Sequence, residues 1–150
     1  YEHDLIGGNF RLDEMQAGLL RVKLSHIDFY NNDRIRICNR YLNDITNSLI
    51  ALPMLRDDAK TVWHQFVIVT KYRDDFAAYL ADNEILTSIH YPIPPHLSEA
   101  YNYLNIKEGS LPISERLANQ VLSLPLYNGM TNKEQGYIIE KINTFSIEVK

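Results

Sequence analysis

Asn9 and Arg11 are the residues near the start of the chain whose types and spacing are best suited to chemistry. They follow Gly8 and immediately precede a helical pattern that begins at Leu12. A helix entrance carries unpaired N–H groups and a positive field, and glycine allows the tight backbone that leads into it. An amide and a guanidinium held there predict a site for an anionic group. The alternative is that Asn9 is a helix cap or turn residue and Arg11 a solvated charge.

His90 and Tyr91 form the second candidate group, at the end of a predicted strand. The segment that follows them has prolines at positions 92, 94 and 95, which remove backbone donors and hold the chain extended. Polar rings presented on such a stiff loop commonly line ligand pockets. The sequence therefore leaves two roles open for this pair, a pocket lining or an ordinary structural one.

Metal binding and nucleophilic catalysis find little support. The side chains of His64, His90 and His96 could hold a metal in principle, but their spacing is unspecific and no acidic or thiol ligand joins them nearby. We predict no metal site, and we expect His64 to be a strand histidine bonded to a backbone carbonyl. The chain has no phosphate-cradling glycine loop and no Ser or Cys nucleophile in a glycine elbow, so we assign no catalytic residue. Cys38 lies in an apolar helical stripe and is predicted to be an inert core thiol.

The composition is typical of a globular domain that does not bind polyanions. The 150 residues are 45% hydrophobic, and fifteen Lys and Arg against nineteen Asp and Glu give a formal charge of −4. That charge argues against nucleic acid and anionic membranes as partners, and the apolar runs are too short to cross a bilayer. A single cysteine rules out an internal disulfide and suits a reducing compartment, so we predict a cytoplasmic protein. Tyr1 is expected to be an internal residue of a longer protein.

A long helix must lead into the domain that positions these residues. Apolar residues three or four apart from Leu12 to about Leu49 predict one long helix or two in line, with a kink at the polar run 31–34 and an end at Pro53. A helix of that length extends beyond a domain this small. Part of its apolar stripe is therefore expected to pack on another domain or another subunit.

The rest of the chain alternates strands and helices. The β-branched and aromatic run 62–70 predicts a buried strand, and a helix is expected to start at 72–75. Further on, the sequence predicts a second strand at 86–90, short helical segments at 98–104 and 113–121, and an edge strand at 122–126. Thr131 is expected to cap a last helix through Phe145, short of a full capping box. This order predicts a single α/β domain in which helices cover a small sheet.

Several segments, taken together and in order, resemble one protein family. The segment from Gly7 to Ala17 is similar to the Gly-x-Asn-x-Arg-Leu-Asp-x-x-Gln-Ala segment of the DegT/DnrJ/StrS sugar aminotransferases, which depend on pyridoxal phosphate. The segments 62–68, 89–96 and 117–125 resemble later parts of the same family. The combination is similar to members that act on nucleotide-linked 3-keto-6-deoxyhexoses. The resemblance implies that residues 1–150 are the C-terminal small domain of a fold-type I aminotransferase, with its leading interface segment and long helix.

The same resemblance implies roles for the candidate residues. Asn9 is expected to reach across a homodimer interface to the phosphate of pyridoxal 5'-phosphate in the partner subunit, and Arg11 to lie near that composite site. An amide and a guanidinium at a helix entrance suit a phosphate dianion. His90 and Tyr91 are expected to approach the sugar nucleotide, and Leu12 to Leu24 to form part of the dimer contact. The implied reaction transfers an amino group, with glutamate as donor, to a keto group of a nucleotide-linked sugar.

Two departures from the family pattern matter. Glu84 stands where the family usually has glycine, so Asn83 is expected to take the left-handed conformation of that turn. The Schiff-base lysine and the other groups around the cofactor ring belong to the family's large domain, which no segment here resembles. The chain alone is therefore not expected to be catalytic. The alternatives are a non-enzymatic dimerisation or sugar-nucleotide-binding module of the same fold, or a helical interaction domain.

Overall fold

The computed structural model describes residues 12–147, which contain helices packed around a two-stranded sheet. The α-helices are α1 (Glu14–Leu24), α2 (Ile27–Asp44), α3 (Arg73–Asp82), α4 (Pro112–Ala118) and α5 (Asn132–Thr144). The strands are β1 (Phe66–Val69) and β2 (Val121–Leu124), and two 3₁₀ segments span Pro95–Leu97 and Glu99–Leu104. This combination confirms the predicted class, a small sheet covered by helices.

The leading helix is divided at Ser25 and His26, between α1 and α2. The Ser25 hydroxyl donates to the Val22 carbonyl at 2.7 Å, and the His26 amide donates to the Lys23 carbonyl at 3.0 Å. These bonds tighten the last turn of α1 and end its α-helical pattern. The prediction of a kink at the polar run 31–34 is wrong, because that run lies inside α2.

α2 ends at Asp44, earlier than the expected end near Leu49, because the next residues bond to α5 instead. The Thr46 amide donates to the Asn143 side-chain oxygen at 2.8 Å. The Asn47 side chain donates to two carbonyls at the end of α5, at 2.8 Å each. The helix that closes the domain therefore also sets the end of α2.

α2 and the start of α5 are joined by further polar contacts. Arg40 Nη1 donates to the Asn132 carbonyl at 2.8 Å, across 92 positions of sequence. Gln135 is fully buried, and its Nε2 donates to the Ile37 carbonyl at 2.6 Å, across 98 positions. The first and last helices of the packed domain are thus fastened together by side-chain to main-chain bonds.

The sheet is smaller than the sequence predicts. β1 and β2 pair antiparallel with Phe66 opposite Leu124. The predicted strand 62–70 is confirmed in its centre and shortened at its start, because Trp63 has φ +51° and an extended strand needs negative φ.

The predicted strand 86–90 is wrong. Ser88 forms a single bridge to Ser123 of β2, with the Ser123 amide donating to the Ser88 carbonyl at 2.7 Å. β2 is therefore paired on both sides at Ser123, so the expectation of an edge strand at 122–126 is also wrong at this point. The strand ends before Pro125, which has no N–H to continue a ladder.

Apolar side chains from the helices and the sheet form one core. The Tyr41 ring lies 5.1 Å from the Phe66 ring, and the Tyr41 hydroxyl donates to the Pro125 carbonyl at 2.9 Å. Cys38 is fully buried in this core, and burial raises the pKa of its thiol to about 12. The prediction of an inert core thiol is confirmed. The other large apolar side chains that are fully buried among the described residues are those of Phe76, Ile37, Ile68, Leu80, Leu122, Met130 and Ile142.

The turn after α3 differs from the expectation. Glu84 itself takes the left-handed conformation with φ +60°, whereas Asn83 has φ −97°. The prediction for Asn83 is wrong because its side-chain Nδ2 donates back to the Tyr79 carbonyl at 2.9 Å, which holds it at the end of the helix.

α5 begins with a full capping box, contrary to the prediction. The Glu134 amide donates to Thr131 Oγ1 at 3.2 Å, and the Thr131 amide donates to the Glu134 carboxylate at 2.7 Å. These two bonds satisfy donors that a helix start leaves unpaired.

α1 stands apart from this core. None of its residues is buried, and its large apolar side chains are exposed: Met15, Leu19, Leu20, Val22 and Leu24. This agrees with the expectation that part of the apolar stripe does not pack within the domain. Within residues 12–147, no helix combines the length and the apolar character needed to cross a membrane.

Candidate functional site

Asn9 and Arg11, the predicted anion ligands, lie outside the described residues 12–147. The helix that follows them is capped by Asp13, whose carboxylate accepts from the Gln16 amide at 2.8 Å. Asp13 is therefore the N-cap of α1.

His90 is held by a buried hydroxyl of the sheet. Its Nδ1 lies 2.9 Å from Ser123 Oγ. Ser123 is 5% exposed, and its main chain is paired with Ser88 on one side and with β1 on the other. Because one ring nitrogen is bonded to a fixed element, the rotation of the His90 ring is restricted.

Tyr91 lies directly beside His90. The ring centroids are 5.6 Å apart and the ring planes are nearly perpendicular, at 85°, which is a favourable edge-to-face arrangement. Tyr91 faces solvent, with 52% of the residue's surface exposed. The pair therefore combines one anchored ring with one accessible ring.

Two cavities meet at His90. The first has a volume of about 210 Å³, and its polar lining includes His64, Gln65, Ser88 and Ser123. The second, of about 280 Å³, is mostly apolar and is lined by Tyr91, Ile93, Pro94, Pro95, Ser114, Leu117, Ala118 and Val121. A ligand at His90 would meet hydrogen-bonding groups on one side and apolar groups on the other.

The structure places His64 in this site, although not in the predicted role. The prediction of a strand residue is wrong because β1 begins only at Phe66. The side chain is exposed and lines the polar cavity with His90. The main-chain carbonyl of His64 accepts from Arg34 Nη1 at 3.2 Å, which ties this segment to α2.

The lining residues that were not identified from the sequence include Ser123 and Gln65. A signal exists for Ser123, since it is a hydroxyl between two leucines in an apolar run, and a buried hydroxyl requires a hydrogen-bond partner. Gln65 carries no comparable signal.

His96 belongs to a separate cluster at the start of α4. Its Nε2 lies 3.0 Å from the Glu115 carboxylate, which also accepts from the amides of Gly109 at 2.8 Å and Leu111 at 3.1 Å. The bond to His96, followed by the bond from Gly109, lowers the pKa of Glu115. The cluster connects the proline loop to α4.

The histidines grouped from the sequence are thus divided between two places. His64 and His90 line one cavity, and His96 pairs with Glu115 elsewhere. In the part of the chain that the structure describes, no three His, Cys, Asp or Glu side chains are grouped so that they could hold a metal ion.

The lysines of the described residues do not fit a covalent cofactor site. A lysine that forms a Schiff base is activated by removal from water beside a pocket. Lys141 lies over the Tyr137 ring at 5.3 Å, and neither cavity at His90 includes a lysine. The remaining described lysines are exposed: Lys23, Lys60, Lys71, Lys107 and Lys133.

Comparison with known sequences identifies related proteins over nearly the whole chain. The model of the DegT/DnrJ/EryC1/StrS aminotransferase family matches residues 1–143. The dTDP-3-amino-3,6-dideoxy-alpha-D-galactopyranose transaminase of Aneurinibacillus thermoaerophilus is 43% identical over 145 residues. That match covers 97% of this chain and 39% of the relative.

Solved structures give the same result. DesV of S. venezuelae, in complex with a ketimine intermediate, is similar with a TM-score of 0.84 and 40% identity, covering 95% of this chain and 39% of DesV. NtdA of Bacillus subtilis, with the bound cofactor PMP, has a TM-score of 0.77 and 28% identity, covering 92% of this chain and 34% of NtdA. The chain therefore spans well under half the length of these proteins.

Proposed function

This chain belongs to the DegT/DnrJ/EryC1/StrS aminotransferase family, and from that membership we propose that it is the C-terminal part of a longer sugar aminotransferase. The proposed enzyme uses pyridoxal 5'-phosphate to transfer an amino group from glutamate to a keto group of a nucleotide-linked sugar. The family match over residues 1–143 carries this proposal. The 43% identity to a transaminase named for a dTDP-linked 3-amino sugar supports the substrate class.

In the proposed homodimer, Asn9 and Arg11 bind the cofactor phosphate at the interface with the partner subunit. A guanidinium can bind a phosphate through two parallel hydrogen bonds, and an amide adds a further donor. When bound, the cofactor supplies the electron sink on which amino transfer depends. We assign its lysine to a large domain outside residues 1–150, since the described lysines are unsuited to that role.

His90 and Tyr91 bind the sugar nucleotide in this proposal. An imidazole and a phenol both donate and accept hydrogen bonds, as sugar hydroxyls and phosphate oxygens require. The support is their position, where a polar cavity and an apolar cavity meet. The exposed apolar side chains of α1 support the homodimer, and the single buried thiol of Cys38 supports a cytoplasmic location.

The first experiment compares the full-length protein with the 150-residue chain produced alone. With pyridoxal phosphate, glutamate and a dTDP-linked 3-keto-6-deoxyhexose, the full-length protein is expected to form the amino sugar, detected by mass spectrometry. The chain alone is expected to form none, because its described lysines are exposed to water except Lys141, which lies over the Tyr137 ring. Borohydride reduction of the chain with the cofactor is expected to label no single lysine preferentially.

Turnover by the chain alone, or a trapped adduct at one specific lysine, would contradict this assignment. An inactive full-length protein whose C-terminal part still binds a nucleotide sugar would instead be a non-enzymatic binding module. A helical interaction domain predicts that replacing Asn9 or Arg11 leaves the cofactor affinity of the full-length protein unchanged.

A second experiment tests the substrate contacts with His90→Gln and Tyr91→Phe in the full-length protein. Each variant is expected to raise the KM for the sugar nucleotide about tenfold, the effect of one lost hydrogen bond in a binding site. The KM for glutamate is expected to stay constant. Tyr103→Phe is the matched control, since Tyr103 is 64% exposed on a 3₁₀ segment away from these cavities. Unchanged sugar KM values in both test variants would remove the pair from the site.

A further inference from the structure

We propose that Ser123 is a positioning residue that holds the His90 ring in the orientation needed to bind the sugar nucleotide. The proposal rests on the proposed function of His90 and extends it to a residue that the sequence did not single out. It is carried by the hydrogen bond of 2.9 Å between Ser123 Oγ and His90 Nδ1.

The main chain of Ser123 is paired with neighbouring segments on both sides. It lies on β2 opposite Val67 of β1, and its amide and carbonyl both bond to Ser88, at 2.7 and 3.2 Å. Leu122 and Leu124 on either side are buried in the core. The hydroxyl is therefore attached to a main chain held from both sides, and only rotation about one side-chain bond can move it.

His90, in contrast, lies where regular structure has ended. The bridge at Ser88 is the last strand-like pairing before the proline loop, and His90 has no place in a helix or strand. An imidazole joined to such a segment can rotate about its side-chain bonds unless a partner restricts it. The Ser123 hydroxyl is a partner at Nδ1, so it fixes the ring plane and with it the position of Nε2.

The burial of Ser123 independently supports the role of its bond to His90. A hydroxyl that is 5% exposed between two leucines is unfavourable unless it is hydrogen-bonded, and an alanine would pack there without that requirement. The bond to His90 satisfies the hydroxyl. Holding the His90 ring in one orientation thus explains why a polar residue occupies this core position.

The test is a double-mutant cycle in the full-length protein, with Ser123→Ala, Ser123→Thr, His90→Gln and the double variant Ser123→Ala with His90→Gln. Ser123→Ala is expected to raise the KM for the sugar nucleotide about fivefold, within the range of one net hydrogen bond, while kcat stays within about twofold. Ser123→Thr keeps the hydroxyl and should restore the KM. In the His90→Gln background, Ser123→Ala should add nothing, because the residue acts through the ring.

The probe is the dTDP-linked 3-keto-6-deoxyhexose, with glutamate as donor, and thermal melts check that each variant folds. Ser146→Ala, an exposed serine after α5, is the matched control. A rise in the KM for glutamate of the same size, or additive effects in the double variant, would indicate general structural damage and overturn the proposal. If His90→Gln raises the sugar KM and Ser123→Ala does not, the positioning role fails while the substrate role of His90 stands. If His90→Gln has no effect, the substrate role of His90 fails, and the positioning role fails with it.

Discussion

Glu115 accepts hydrogen bonds from the amides of Gly109 and Leu111 while it pairs with His96. Gly109 has φ +86°, a conformation that glycine adopts without strain, and this turns its N–H toward the carboxylate. One ionised side chain at the start of α4 therefore organises the loop that leads back to the proline segment.

The stability of the hydrogen bonds in the loop at Gly109 and Leu111 is expected to depend on pH and on the charge of Glu115. Because its bonds lower the pKa of Glu115 in the folded state, the ionised carboxylate contributes fully above the ordinary value of about 4.3. The contribution is lost as pH falls through the lower folded pKa. At pH 7, Glu115→Gln is expected to lower hydrogen-exchange protection at the Gly109 and Leu111 amides roughly tenfold.

Exchange measured by mass spectrometry against pH checks this expectation. The difference between Glu115→Gln and the parent should be constant near neutral pH and should shrink as pH falls below the ordinary glutamate pKa of about 4.3. The neighbouring exposed carboxylate, in Glu108→Gln, provides the control. Equal protection in parent and Glu115→Gln at neutral pH would show that the loop is held by other contacts.

At the residue scale, the sequence identified candidate ligand-binding side chains but not the residues that they contact. The proximity of His90 and Tyr91 at the end of an extended segment follows from their adjacency and from the prolines after them. The bond from His90 to Ser123 spans 33 positions, and no local pattern encodes such a pairing. His96 does not lie with His64 and His90, since its partner is the carboxylate of Glu115.

Among the elements, α1 carries large apolar side chains that the described domain leaves exposed. It is 11 residues long, and isolated helices shorter than about 12–15 residues are marginal in water. Its ends are well formed, with Asp13 as N-cap and Arg21 and Lys23 in the last turn, but none of its residues is buried. An apolar helix face of this kind is stabilised by a surface that covers it.

We expect this covering surface to be the second subunit of the homodimer. Leu19 is 73% exposed, and in Leu19→Glu a charge would be buried at the contact without a partner. The dissociation constant of the full-length dimer should rise about tenfold or more, measured by sedimentation across a concentration series. Gln16→Glu places the same charge on an already polar position of α1 and serves as the control. A lower melting temperature with an unchanged dimer would instead show that α1 packs within its own subunit.

Helices were easier to predict than strands because their periodicity is local. α3 and α5 lie where the apolar spacing placed them. The division at Ser25 was missed because a serine bonded to the preceding turn is compatible with a continuing helical pattern. The strand at 86–90 was overpredicted because an apolar, β-branched segment does not show whether a neighbouring strand has room to pair beyond Ser88.

For the whole molecule, the order of elements was enough to predict helices around a small sheet, but not how the sheet is supported. Two strands with isolated bridges at Ala51 and Ser88 make a poor sheet by themselves. Helix packing against the core compensates, and it depends on contacts between distant positions. The candidate site is likewise divided, with His90 in the described domain and Asn9 and Arg11 in the segment that precedes α1.

The contacts between α2 and α5 have a consequence for biosynthesis. A ribosome delivers α2 well before α5, yet the two helices bond to each other through Arg40 and Asn132 and through Gln135 and Ile37. Until α5 brings Ile138, Ile139 and Ile142 into the core, the nascent chain is expected to expose apolar surface that these side chains later cover. Folding of this unit is therefore expected to depend on the arrival of α5, and a premature stop codon before α5 is expected to yield a product prone to aggregation.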